Sequence, residues 1–89
     1  MRSSDYHRTA MLDIRRETSF NYYLTQIFED AGLTEEVYAT IIANITTKGS
    51  RVSLKEAKDY AKRMLDENKI DERACKDILH LLDRYRKYR

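Results

Sequence analysis

Cysteine and histidine are the residue types best able to supply a nucleophile, a base or a metal ligand, and Cys75 and His80 stand five positions apart. On a helix that separation is about 140° around the axis, so the two side chains diverge; ligand pairs on one helix use separations of three or four. Cys75 borders an apolar arc and reads as a core thiol, packed like a small hydrophobe. His80 falls on an outer face, and His7 has no local partner that would tune it. Glu35 and Glu36 read as first-turn charges that complement a helix dipole, whereas Glu29 and Asp30 fall near a helix end, where a carboxylate is unfavourable and a partner cation would account for it. The stretch TTKGS (46–50) has one glycine and follows a helix rather than a strand, which excludes a phosphate loop. No convergent set of catalytic groups emerges. The expectation is a protein without enzymatic activity, with no metal, no cofactor and no small-molecule substrate.

The chemistry that is present is cationic. Residues 1–16 carry a formal charge of +2, residues 17–47 carry −5 with no Lys or Arg, and residues 48–89 carry +5 from thirteen Lys or Arg. The chain closes on RYRKYR, residues 84–89. Phosphates require cations and bases can stack on tyrosine, so a nucleic-acid site is expected at Lys48, Arg51, Arg84, Arg86, Lys87, Tyr88 and Arg89. Tyr85 falls within the apolar arc of its helix and is assigned to the core, which leaves Tyr88 as the tyrosine outside it. Arg86 and Arg89 fall on that same arc, so the helix must leave the core or fray just after Tyr85. Several charges in the third helix compensate each other four residues apart: Lys55–Asp59, Asp59–Arg63, Lys62–Asp66 and Arg63–Glu67. A DNA-reading helix–turn–helix fits residues 24–43 in its apolar and glycine positions, but its second helix would meet phosphates with Glu35 and Glu36.

A second function class starts from the Lys- and Arg-free outer surface of residues 19–31. Tyr22, Thr25, Gln26 and Glu29 have the character of an interface for a protein partner or a second copy of the chain. The competing account is internal: Arg8, Arg15 and Arg16 could fold over this acidic face.

The elements that position these residues follow from periodicity. Phe20, Tyr23, Leu24, Ile27, Phe28 and Ala31 share one face of a helix over 19–31, closed by Gly32 with Leu33 folding back. Thr34 caps a second helix over 35–47; VYATIIANITT is rich in β-branched residues, yet Val37, Tyr38, Ile41, Ile42 and Ile45 form a helical arc, with Gly49 past the end. Ser53 and Glu56 form a capping box, flanked by Val52 and Ala57 as a hydrophobic staple, for a helix over 54–67. Its inner face is Leu54, Ala57, Ala61, Met64 and Leu65, and Asn68 ends it. Asp71 caps a last helix over 72–86, burying Ala74, Cys75, Ile78, Leu79, Leu81, Leu82 and Tyr85. In the first segment Tyr6, Ala10 and Ile14 suit a helix and Ala10, Leu12 and Ile14 a strand; a short helix over 4–16 is the assignment.

The expected fold is therefore all-α, a small orthogonal bundle of four or five short helices. Residues 1–16 form a basic arm or short helix, and 17–89 one compact domain. Absence of proline, and a 36 % charged fraction carried on periodic helices, favour this over hairpin-rich or disordered alternatives. A single cysteine precludes an internal disulfide, and no apolar run is long enough for a signal peptide or a membrane span, so a cytoplasmic location is expected. Nucleic-acid association ranks first, and a protein adaptor, inhibitor or homodimer second.

Overall fold

Several helix starts and stops in the computed structural model, which describes residues 9–88, coincide with the local signals of the sequence. Helix α1 (Glu17–Asp30) ends where Gly32 takes φ +82°. There the Gly32 amide donates to the Glu29 carbonyl at 3.0 Å and the Leu33 amide to Phe28 at 3.1 Å, which satisfies two carbonyls the helix end would orphan. Helix α3 (Leu54–Asp66) ends the same way at Asn68, φ +61°, with Lys69 donating to Met64 at 2.8 Å. Asparagine serves here because its short polar side chain tolerates the left-handed region. Helix α4 (Glu72–Arg84) starts from Asp71, whose carboxylate accepts from the Ala74 amide at 2.8 Å.

Two caps depart from expectation. Ser53 accepts from the Glu56 amide at 3.2 Å, but its own amide goes to the Lys48 carbonyl at 2.9 Å. The reciprocal half of the capping box therefore has no donor to serve, and Val52 is 57 % exposed rather than stapled. Thr34 occupies the cap position of α2 with extended backbone and makes no side-chain cap bond.

The ambiguous VYATIIANITT stretch is helical. Helix α2 spans Glu35–Arg51 and buries Tyr38, Ile41, Ile45 and Gly49, a repeat of three and four that only a helix puts on one face. Gly49 is thus not the post-cap residue: the helix runs through it, and a Cβ there would lie 3.1 Å from the Leu12 Cβ. The buried stripe passes through Tyr38 rather than Val37, which is 43 % exposed.

Helix α1 packs on α2 and α4, and α3 packs on α2 and α4, closing a ring of four helices around one core. Its largest buried side chains include Phe20, Phe28, Leu24, Ile45, Ile78, Leu82 and Tyr85, and among the described residues no charged side chain is buried. Tyr60 joins the core unannounced: its hydroxyl accepts from the Asn44 amide nitrogen at 3.0 Å, so the polar tip is satisfied while the ring is buried. Tyr23, expected inward, is 46 % exposed.

The expected N-terminal helix is the main correction. Ala10–Leu12 is a strand, β1, followed by a single 3-10 turn at Ile14–Arg16 capped by Asp13; residues 4–8 of that assignment lie outside the described residues. The partner strand β2, Arg86–Tyr88, lies at the other end of the chain. They pair antiparallel, Ala10 with Tyr88, Met11 with Lys87 and Leu12 with Arg86, and the Asp13 amide extends the ladder to the Tyr85 carbonyl at 2.9 Å. Helix α4 therefore stops at Arg84 instead of reaching 86. Continuing it would carry Arg86 along the apolar arc, whereas an extended backbone finds hydrogen-bond partners on β1.

Electrostatics join neighbouring elements on the surface. Lys58 of α3 donates to Asp83 of α4, and Arg86 stands 3.9 Å from the same carboxylate. The Lys58 hydrogen bond, with the charges of Lys58, Arg86 and His80, holds the Asp83 carboxyl below the usual carboxylate range; Lys55, 3.0 Å from Asp59, does the same there. A depressed carboxyl contributes stability above its unfolded pKa and loses it as pH falls through the folded value. Thermal midpoints are therefore expected to be flat from neutrality down to about pH 4 and to fall below it. Asp83→Asn should weaken that fall, and a variant with the wild-type acid slope would exclude Asp83 as a source.

Candidate functional site

Lys48 and Arg51 lie in the last turn of α2, where cations complement the negative end of the dipole. Between them Gly49 forms the seat of Leu12, and Leu12 pairs with Arg86. Neighbouring strands lie about 4.8 Å apart, so Arg86 stands one strand spacing from the leucine that packs on α2. Lys87 follows on the opposite side of the ribbon, beside Met11. Through Leu12, the end of α2 that carries Lys48 and Arg51 is thereby tied to the strand that carries Arg86, with Lys87 on the ribbon's other face.

The remaining members of the expected nucleic-acid set fall differently. Arg84 turns toward α1 and lines a groove with Tyr23, Ile27 and Leu81. Tyr88, expected to stand apart from the core as a stacking platform, is a strand residue half exposed, with the Arg86 guanidinium 5.6 Å from its ring centroid. Arg89 lies outside the described residues. Lys48 has its ammonium 5.6 Å from the Tyr60 ring.

Tyr85 is the core residue the sequence indicated, 2 % exposed. Its ring meets Phe20 edge-on at 5.6 Å, its hydroxyl shares a 2.6 Å hydrogen bond with Ser19, and the Arg16 guanidinium covers its face at 4.2 Å. One side chain thus ties the exit of α4 to the entry of α1.

The surface of α1 divides in two. Thr25 donates to the Asn21 carbonyl at 2.8 Å, Asn21 accepts from Thr46 of α2 at 3.0 Å, and Glu29 accepts from the Tyr38 hydroxyl at 3.1 Å. Burial, then the Glu29 hydrogen bond, push the Tyr38 phenol up. Asn21 and Glu29 therefore serve the α1–α2 contact and Thr25 bonds within its own helix, whereas Tyr22 and Gln26 point outward, Tyr22 60 % exposed and edge-on to Tyr23 at 5.3 Å. The arginines that could have covered this face are used elsewhere: Arg15 is 3.7 Å from Asp13 and Arg16 lies over Tyr85, while Arg8 is outside the described residues.

Cys75 is buried with its Sγ 3.8 Å from the Ala61 carbonyl, and burial pushes its thiol up. His80 is exposed, so the two do not converge. Among the described residues no three His, Cys, Asp or Glu side chains are placed to hold a metal, and no helix is long and apolar enough to cross a membrane. The turn between α1 and α2 has helix–turn–helix form, but Glu35 and Glu36 are exposed at the start of α2, which repels phosphate there. The chain matches no protein-family model, no curated protein and no solved structure.

Proposed function

We propose that this chain is a non-enzymatic nucleic-acid-binding module that holds phosphates where the C-terminal end of α2 meets the terminal ribbon. What supports the reading is the seating of Leu12 on Gly49, which ties the cationic end of α2, with Lys48 and Arg51, to a paired strand that carries Arg86 and Lys87 instead of a loose tail. Cations fixed on a ladder lose little conformational entropy on binding, so phosphate contact comes at a small ordering cost. Contacts made by these cations to phosphate carry no base information, so binding is expected to be indifferent to sequence and driven by counterion release.

The test is fluorescence anisotropy with duplex DNA and duplex RNA as a function of salt. Binding is expected at about 50 mM salt and should fall steeply as salt rises. Removing both Arg86 and Lys87 as alanines should reduce the log–log salt slope by roughly 2, since each phosphate contact contributes about 0.9. Lys69→Ala, at the far end of the bundle beside the α3–α4 turn, should leave the slope unchanged. No binding to either duplex at low salt would end the proposal.

A further inference from the structure

Phe20 and Ser19, near the start of α1, meet Tyr85 at the end of α4, so the two helices run antiparallel. Along the outside of their seam runs an open groove of about 300 Å³ with Ile27 and Leu81 as its floor and Tyr23 as one wall. Its polar groups are separated by sign. Asp30 and Asp77 lie toward one end, His80 and Arg84 toward the other. Neither carboxylate, nor the Arg84 guanidinium, has a hydrogen bond or ion pair among the described residues. Asp30 is also the last residue of α1, at the negative end of the dipole, and α1 has no basic residue in its last turn. Farther along the seam Arg73 stands among Asp30, Asp71 and Asp77, so that end stays acidic on balance, and the Asp71 carboxylate is already engaged in capping α4.

We propose that this seam binds the same seam of a second copy of the chain across a two-fold axis. Asp77 and Arg84 are seven residues apart, two turns of α4 or about 10.5 Å along its axis. Two α4 helices laid antiparallel, with the axis passing between His80 and Leu81, bring Asp77 of each protomer to Arg84 of its partner. The face is complementary to itself, as a two-fold interface must be, and the charge pattern fixes both the antiparallel direction and the register. Asp30 supplies a second carboxylate for the incoming guanidinium. Tyr23, 46 % exposed, lines the groove, and Tyr22, 60 % exposed, stands edge-on to it; the two supply aromatic area of the kind a small interface uses. The assembly is independent of the nucleic-acid proposal, whose cations lie beyond the end of α4.

Sedimentation velocity and light scattering from micromolar to millimolar protein read the outcome. Twice the chain mass is expected at the upper concentrations. Asp77→Arg and Arg84→Asp should each raise the dissociation constant roughly tenfold or more, because each places like charges opposite each other twice. An equimolar mixture of these two single variants should dimerise again. In the mixed pair one protomer carries arginine at both positions and the other aspartate at both, so opposite charges meet at each crossing. That restoration distinguishes lost pairing from lost folding. A chain that stays monomeric throughout, as it would if the seam served a different protein, overturns the proposal. So do single variants that dimerise like wild type, or a mixture of folded variants that stays monomeric.

Discussion

Tyr85→Ala is expected to destabilise the fold by about 3–5 kcal/mol, the range for truncating a large aromatic in a packed core. The side chain is 2 % exposed and joins Phe20, Ser19 and Arg16 on one side of the bundle, while its backbone carbonyl receives the Asp13 amide. Truncation leaves a cavity against Phe20 and uncouples the end of α4 from the start of α1. For a domain of this size each kcal/mol corresponds to roughly 4–8 °C of melting temperature, so the variant should melt far below wild type. Tyr85→Phe keeps the ring and removes only the hydrogen bond to Ser19, at a cost of about 1 kcal/mol. Urea titration of the three proteins checks this. An alanine variant within about 1 kcal/mol of the phenylalanine variant would mean that the ring is not what holds the two helices together.

Gly49→Leu is the second large effect, with an expected loss of up to about 3 kcal/mol from overpacking. A Cβ at this position already meets the Leu12 Cβ at 3.1 Å and the Ala57 Cβ at 3.6 Å, so a longer side chain has no volume to occupy except that of Leu12. Gly49→Ala is the informative control. It gains up to about 1 kcal/mol of helix propensity and must push Leu12 back by a few tenths of an ångström, two effects of opposite sign that should nearly cancel. With leucine the strand itself must leave. Hydrogen exchange should show loss of protection at the Asp13 amide, which bonds across the ribbon to Tyr85, with α3 and α4 still protected. The salt slope for nucleic acid should fall as well, although no cation has been removed. Retained protection at Asp13 would show that Leu12 does not depend on the glycine for its seat.

The helices were legible because their signals are local. Gly32, Asn68, Ser53 and Asp71 each act on amides or carbonyls within five residues, and a spacing of three and four marks the buried faces. The ribbon was only half legible: Ala10, Leu12 and Ile14 suit a strand as well as a helix, Arg86–Tyr88 carry no strand pattern of their own, and only their pairing decides between the alternatives. The placement of Arg86 on the apolar arc was the one local hint that α4 must end before it. Gly49 misled for a related reason: a glycine near a helix end resembles a stop, and only the approach of Leu12 reveals a contact surface. The cations could be named from the sequence but not grouped. Lys48 and Arg51 join Arg86 and Lys87 through the ribbon, whereas Arg84, two residues before Arg86, turns to α1 because it is still helical. Tyr23 escaped notice as a surface residue because it lies on the flank of the α1 stripe, where a wheel does not separate core from rim.

The register of the ribbon also determines how the fold responds to tension. Ala10 and Tyr88 face each other, so both ends of the described chain leave the ribbon at the same side. A pull on the two ends therefore loads the cross-strand hydrogen bonds one after another, as a zipper is opened, and never all together in shear. The last rung is Asp13 to Tyr85, and Leu12 must leave its seat on Gly49 before that rung is loaded. Mechanically the ribbon is a latch whose outer rungs open one at a time and whose hold is the leucine at its root, one of the most deeply buried side chains among the described residues.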